Sequence, residues 1–158
     1  IFLYAKRYDQ AVEQFTKTLR LDPTSAPAQG GLGWAYRCKS LFGPAIAAAQ
    51  KAVELWRRGS SPLAWLGETY AAAGCATEAR KTLEQLQQIS KERYVTPYGI
   101  ARIYATLGNK DEALQWLEIA YQKRAEWMVL LRVDPSLDDL RLDPRFQDLL
   151  RRINFPPN

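Results

Sequence analysis

The sequence predicts an all-helical solenoid of antiparallel helix pairs, and three observations carry that expectation. The chain repeats on itself, and the period is the one at which helix-pair repeats recur. Each unit holds two stretches with apolar residues at helical spacing, and proline and glycine stand where those stretches start and stop. A unit of this kind cannot bury its apolar face alone, so successive units must stack into a curved array.

The repeat is visible as five columns. Alanine recurs at Ala11, Ala45, Ala79 and Ala113, and an aromatic recurs at Phe2, Tyr36, Tyr70 and Tyr104. Small residues at Gly33, Gly67 and Ala101 each follow an apolar residue, Leu32, Leu66 and Ile100. The remaining columns read Phe15, Ala49, Leu83, Leu117 and Thr18, Ala52, Leu86, Ala120. Small residues where two helices cross let the backbones approach, while the aromatic column fills the wedge between neighbouring units.

Taken in order, the first unit lacks most of its first helix and keeps its second, about Asp9 to Leu21 before Asp22-Pro23. Beginning so close to the aromatic Phe2, it reads as a repeat cut in half and the chain as a fragment. In the second unit Pro27 starts a helix and Ser40 to Gly43 makes the turn. In the third, Ser61-Pro62 is an N-cap with proline at the first helical position, Gly74 ends the helix, and a partner runs from Thr77 to Ile89. In the fourth, Thr96-Pro97 starts a helix, Leu107-Gly108-Asn109 stops it, and Asp111 to Lys123 forms the partner. The expected organisation is a partial repeat at 1–25, repeats at 26–59, 60–93 and 94–124, and a capping segment at 125–158. Within that segment Asp134-Pro135 and Asp143-Pro144 are N-cap signals, and the last helix places Phe146, Leu149, Leu150 and Ile153 on one stripe.

Leu66-Gly67-x-x-Tyr70 followed by Ala79, and Leu32-Gly33-x-x-Tyr36 followed by Ala45, resemble the tetratricopeptide repeat. The resemblance covers residues 1 to about 124 and implies a right-handed superhelical solenoid, closed here by a C-terminal capping helix. The sequence departs from that family's pattern three residues before the Leu-Gly pair, where a large residue gives way to Gln29, Leu63 and Pro97. The stretch Ala105-Thr106-Leu107-Gly108-Asn109-Lys110-Asp111-Glu112-Ala113 also resembles something known. With Trp127, Val133-Asp134-Pro135, Asp143-Pro144-Arg145-Phe146 and Leu149-Leu150, it looks like the closing segment of such repeats in large bacterial signalling proteins. Those proteins carry kinase, nucleotide cyclase or winged-helix domains, none of whose motifs stands in these 158 residues.

Composition narrows the function. Without a histidine, Ser-His-Asp and Cys-His catalysis lack their base, and Cys38 and Cys75 alone make no zinc site of the usual kind. Gly30-Gly31-Leu32-Gly33 lies inside an expected helix and so fails as a phosphate loop. The expectation is a non-catalytic chain with no cofactor or metal, no membrane span in this stretch, and reduced thiols in a cytoplasmic setting. The net charge of +5 sits in residues 1–60, with nine Lys and Arg against four Asp and Glu; residues 61–158 carry 13 of each. That imbalance leaves a nucleic-acid partner as an alternative, though a solvated surface explains it more simply. A second alternative is self-association, a homodimer through residues 1–21, whose stripe of Ala11, Val12, Phe15 and Leu19 has little left to cover it.

What the family resemblance implies for binding is a groove lined by the first helices of the units. The columns opposite the Leu-Gly face are Trp34, Glu68, Arg102 and Gly30, Ala64, Tyr98, with Arg37 and Cys38 one turn on and Tyr4 in the broken unit. Trp34, Arg37, Glu68, Tyr98 and Arg102 are therefore the candidate peptide-binding residues. Aromatic rings would anchor the ligand and arginine would hold its carboxylates, with packing between helices as the competing role for Trp34 and Tyr98. The Lys and Asn with which one subclass grips a C-terminal carboxylate are absent from those columns.

Overall fold

The structure, a computed structural model, describes residues 7–56 and 59–153. Among these the regular structure is helical throughout. Eight α-helices run in order: α1 (Tyr8–Leu21), α2 (Ala26–Cys38), α3 (Phe42–Leu55), α4 (Ser61–Ala72), α5 (Ala76–Ile89), α6 (Pro97–Thr106), α7 (Lys110–Gln122) and α8 (Pro144–Arg152). Two 3-10 segments, Glu126–Leu130 and Pro135–Leu140, lie between α7 and α8. Phe2 and the other residues 1–6, including the expected groove residue Tyr4, lie outside the described residues, as do 154–158.

The second helices of the units start at Tyr8, Phe42, Ala76 and Lys110, at one constant spacing that equals the period of the alanine column. The turn before each of the later three closes the same way. The amides of Leu41, Cys75 and Asn109 donate to the carbonyls of Tyr36, Tyr70 and Tyr104, at 2.9 Å in all three. This six-to-one closure needs a left-handed residue before the donor, and Ser40 (φ 58°), Gly74 (φ 77°) and Gly108 (φ 80°) supply it. Helix starts follow the proline signals with one shift. α4 begins at Ser61 itself, so Ser61 is helical and not its cap; the preceding Ser60 turns its hydroxyl to the Tyr94 carbonyl, 3.5 Å away. Asp134 and Asp143 are true caps, accepting from the amides of Ser136 (3.0 Å) and Arg145 (2.9 Å).

The chain divides into two compact units, Ile1–Val95 and Thr96–Asn158. In the first, α2 packs against α3 and α4 against α5, while α1 lies on α2 and α3 on α4. Ala11, Ala45 and Ala79 are buried at these crossings, and a Cβ on Gly33 would stand 3.2 Å from the Ala45 carbonyl oxygen. α2 covers part of the α1 stripe: Ala11 is buried and Phe15 lies over Gly31, whose added Cβ would meet the ring at 2.3 Å, while Val12, Phe15 and Leu19 are half-buried. In the second unit one core joins Ala101, Ala105, Ala113 and Leu117 of the helix pair to Met128, Leu131, Leu137, Leu140, Phe146 and Leu149. The segment after α7 thus completes a hydrophobic core that α6 and α7 alone would leave open.

Candidate functional site

The candidate residues fall into two groups, one per unit. In the first, α2 and α4 lie side by side and bring Arg37 and Glu68 together. The Arg37 Nη1 donates to Glu68 Oε1 in a charge-assisted bond, with the two side chains 9% and 3% exposed. Burial of this depth needs a partner for each charge, and each supplies the other's. Trp34, one turn before Arg37 and Cys38, is partly buried and packs with Tyr8, Val12 and Phe15 on the Ala11–Ala35 contact. One edge of the indole therefore belongs to the core, and part of it stays open. Cys38 is free and half-buried; burial pushes its thiol above the ordinary range, more than the neighbouring Arg37 guanidinium pulls it down. Further along α2, Gly30 is buried because the Trp65 ring of α4 occupies the place of its missing Cβ. Trp65 in turn meets Trp56 edge to face, with centroids 6.5 Å apart.

In the second unit Tyr98 and Arg102 sit on α6 one turn apart, and both converge on Asp134. The Tyr98 hydroxyl donates to Asp134 Oδ2 at 2.9 Å, and Arg102 Nε stands 3.2 Å from the same oxygen. Arg102 Nη2 reaches Ser136 Oγ at 3.4 Å, and the Ser136 amide holds the other carboxylate oxygen. Asp134 has no exposed surface, and Tyr98 is 2% exposed. Burial pushes the Asp134 carboxyl up, but Arg102, the Ser136 amide and hydroxyl, and the Tyr98 hydroxyl together hold it below its ordinary value. Tyr98 is accordingly a core residue with its polar end in use.

A second set of charges fastens α8 to α7. Arg152 donates twice to the Glu118 carboxylate, once at 3.0 Å, and its guanidinium lies 4.7 Å from the Tyr121 ring centroid. Arg145 pairs with Asp111 at 2.8 Å and with its own cap Asp143 at 2.8 Å. Between these pairs lies a cleft of about 480 Å³ over Leu114, Pro144 and Leu149.

Asp134 is the member of these groups that sequence reasoning missed. An Asp-Pro cap reads alike whether its carboxylate faces water or protein. A signal was nonetheless present: Glu68 follows Arg37, and Asp134 follows Arg102, at a separation just short of one repeat. Opposite charges spaced in this way fall between successive first helices, or between α6 and the segment lying beside it.

Among the described residues no three His, Cys, Asp or Glu side chains are grouped to hold a metal ion, and no helix is long and apolar enough to cross a membrane. The family model described as tetratricopeptide repeat matches residues 98–122, which span α6 and α7. Comparison with curated proteins finds no match. Helix pairs, turn closure and this match together define an all-helical, tetratricopeptide-like domain, a class whose repeats generally mediate protein–protein interaction.

Proposed function

We propose that the chain is a non-catalytic scaffold that receives a peptide or protein segment on the face made by its first helices. The observation that carries this is the arrangement on α2 and α4. Trp34 is partly open there, beside an Arg37–Glu68 pair held rigid by burial. A partly exposed aromatic ring beside a buried ion pair is the kind of anchor that interfaces concentrate their energy on. Arg37 and Glu68 contribute by fixing the wall of that face, while Tyr98 and Arg102 of the second unit have their polar groups turned to Asp134. The likeness of residues 105–150 to the closing segment of bacterial signalling proteins supports a regulatory module acting in the cytoplasm.

The test is a peptide library displayed against the intact chain, with the selected sequences measured by calorimetry on wild type and on Trp34→Ala. Truncating a central aromatic anchor should weaken binding by about tenfold or more. Selected peptides that bind both proteins equally would place recognition elsewhere. If instead a single-stranded oligonucleotide outcompetes the peptides, with affinity falling steeply as salt rises, the basic residues of the first 60 are the binding surface.

A further inference from the structure

The two buried ion pairs occupy corresponding places. Arg37–Glu68 joins α2 to α4, successive first helices, and Arg102–Asp134 joins α6 to the 3-10 segment Pro135–Leu140 that lies beside it. In each an arginine of a first helix meets a carboxylate of the element that follows in the row. Apolar contact cannot choose that neighbour. The side chains that the segment brings to the core of the second unit, Leu131, Leu137 and Leu140, are ones many helices could offer.

We propose that Tyr98 and Arg102 form a socket for one carboxylate, and that Asp134 uses it to select the C-terminal segment as the partner of α6. A competing element, such as a helix of a second copy, would bury the Arg102 guanidinium without a counter-charge and the Tyr98 hydroxyl without an acceptor. Leaving such groups unpaired costs far more than the pair gains when it forms, so the pairing excludes wrong neighbours more than it strengthens the right one. The carboxylate is suited to the task. Its Oδ1 is fixed by the Ser136 amide and its Oδ2 faces Tyr98 and Arg102, while Arg141 donates to the Asp134 and Arg132 carbonyls and holds the loop. Arg102 on α6 is thus committed to Asp134, and Arg141 on the segment to these carbonyls and to the Asp138 carboxylate. Arg37–Glu68 is the counterpart in the first unit.

The test compares Arg102→Met, Asp134→Asn and the double variant by hydrogen exchange on the full chain, with amides of α3 as a folded control. In Arg102→Met the buried carboxylate loses its counter-charge, and the amides of residues 131–141 should exchange faster by on the order of tenfold or more. Sedimentation should show self-association of that variant through the uncovered face. Adding Asp134→Asn removes the uncompensated charge; its one oxygen keeps the Ser136 amide, and its NH2 can donate to the Tyr98 hydroxyl oxygen, so the double variant should recover protection and remain monomeric. Unchanged exchange in Arg102→Met overturns the proposal. So does a double variant as loose as the single one, because packing and not charge pairing would then be what holds the segment. Should Arg102→Met lose the α3 protection as well, refolding of the double variant decides between the same two outcomes.

Discussion

Replacing Gly30 by alanine tests whether the Trp65 ring is truly seated on α2. An added Cβ would stand 2.2 Å from both Cε3 and Cζ3 of that ring, so the fused part of the indole must move by more than an ångström. The ring cannot swing freely, because it also packs on Trp56. Overpacking of this severity costs about 3 kcal/mol, the upper end of its usual range. Alanine returns about 1 kcal/mol through helix propensity, which leaves a net loss of roughly 2 kcal/mol. For a chain of this length that lowers Tm by about 4–8 °C. Gly43→Ala is the matched control: it lies in the first turn of α3 with nothing within 4 Å of the added atom. There propensity acts alone, and stability should rise by about 0.5–1 kcal/mol. Both variants are read by urea unfolding followed by circular dichroism. Trp65→Leu should relieve the Gly30→Ala clash, so that the double variant loses less than the sum of the singles. If Gly30→Ala and Gly43→Ala stabilise alike, the ring does not rest on α2 and the wall of the proposed site is wrongly placed.

Ala45→Leu inserts a branched side chain at a crossing with no exposed surface, and should cost about 1–3 kcal/mol by the same assay; no loss would contradict the packing of α2 on α3. Deleting residues 134–158 removes Leu137, Leu140, Phe146 and Leu149 from the second core. Light scattering should then show aggregation, whereas a stable monomer would mean that the segment is dispensable. Hydrogen bonds from the Arg145 guanidinium and amide pull the Asp143 carboxyl down to about 2, below its ordinary ~3.9. Because the folded value is the lower one, the pair's contribution is complete above pH ~4 and fades as pH falls toward 2. Carboxyl titration by NMR should move Asp143 back up in Arg145→Gln, and an unchanged midpoint would show that Arg145 is not its partner.

Much of the fold was legible because its signals are local. Proline at Pro27, Pro62 and Pro97 and the glycines at Gly74 and Gly108 mark helix ends through backbone geometry alone, which no tertiary contact needs to reveal. The alanine column was legible for a related reason, since a residue of that size recurring at one period has few roles besides a close crossing. The candidate site was harder. Glu68 and Arg102 share a column and read as ligand-facing charges, yet each is paired inside its own unit. Whether a charge on a first helix points to a ligand or to the next element depends on a partner almost a full repeat away. Trp34 shows the limit from the other side: its spacing places it on the outer face, but only the position of α1 decides how much of the ring is left uncovered.

The turn closure has a consequence for how such a chain could lengthen or recombine. Donor and acceptor in each turn are backbone atoms, so Ser40-Leu41, Gly74-Cys75 and Gly108-Asn109 perform one task with three different spellings. The spacing from tyrosine carbonyl to amide is the same in these three turns, and it sets the start of α3, α5 and α7. First helices keep looser time: α2, α4 and α6 start at Ala26, Ser61 and Pro97, after connections that lengthen from one unit to the next. The first helices shorten as their connections lengthen, and all end in register. The variation therefore lies in the connection and first turn before each first helix, and none in the turn that follows it. A residue inserted after Leu21 or Ile89 should be absorbed as a longer connection, while the same insertion after Tyr36 or Tyr70 would throw the following helix out of phase. Splice points for adding or exchanging units belong at the former positions.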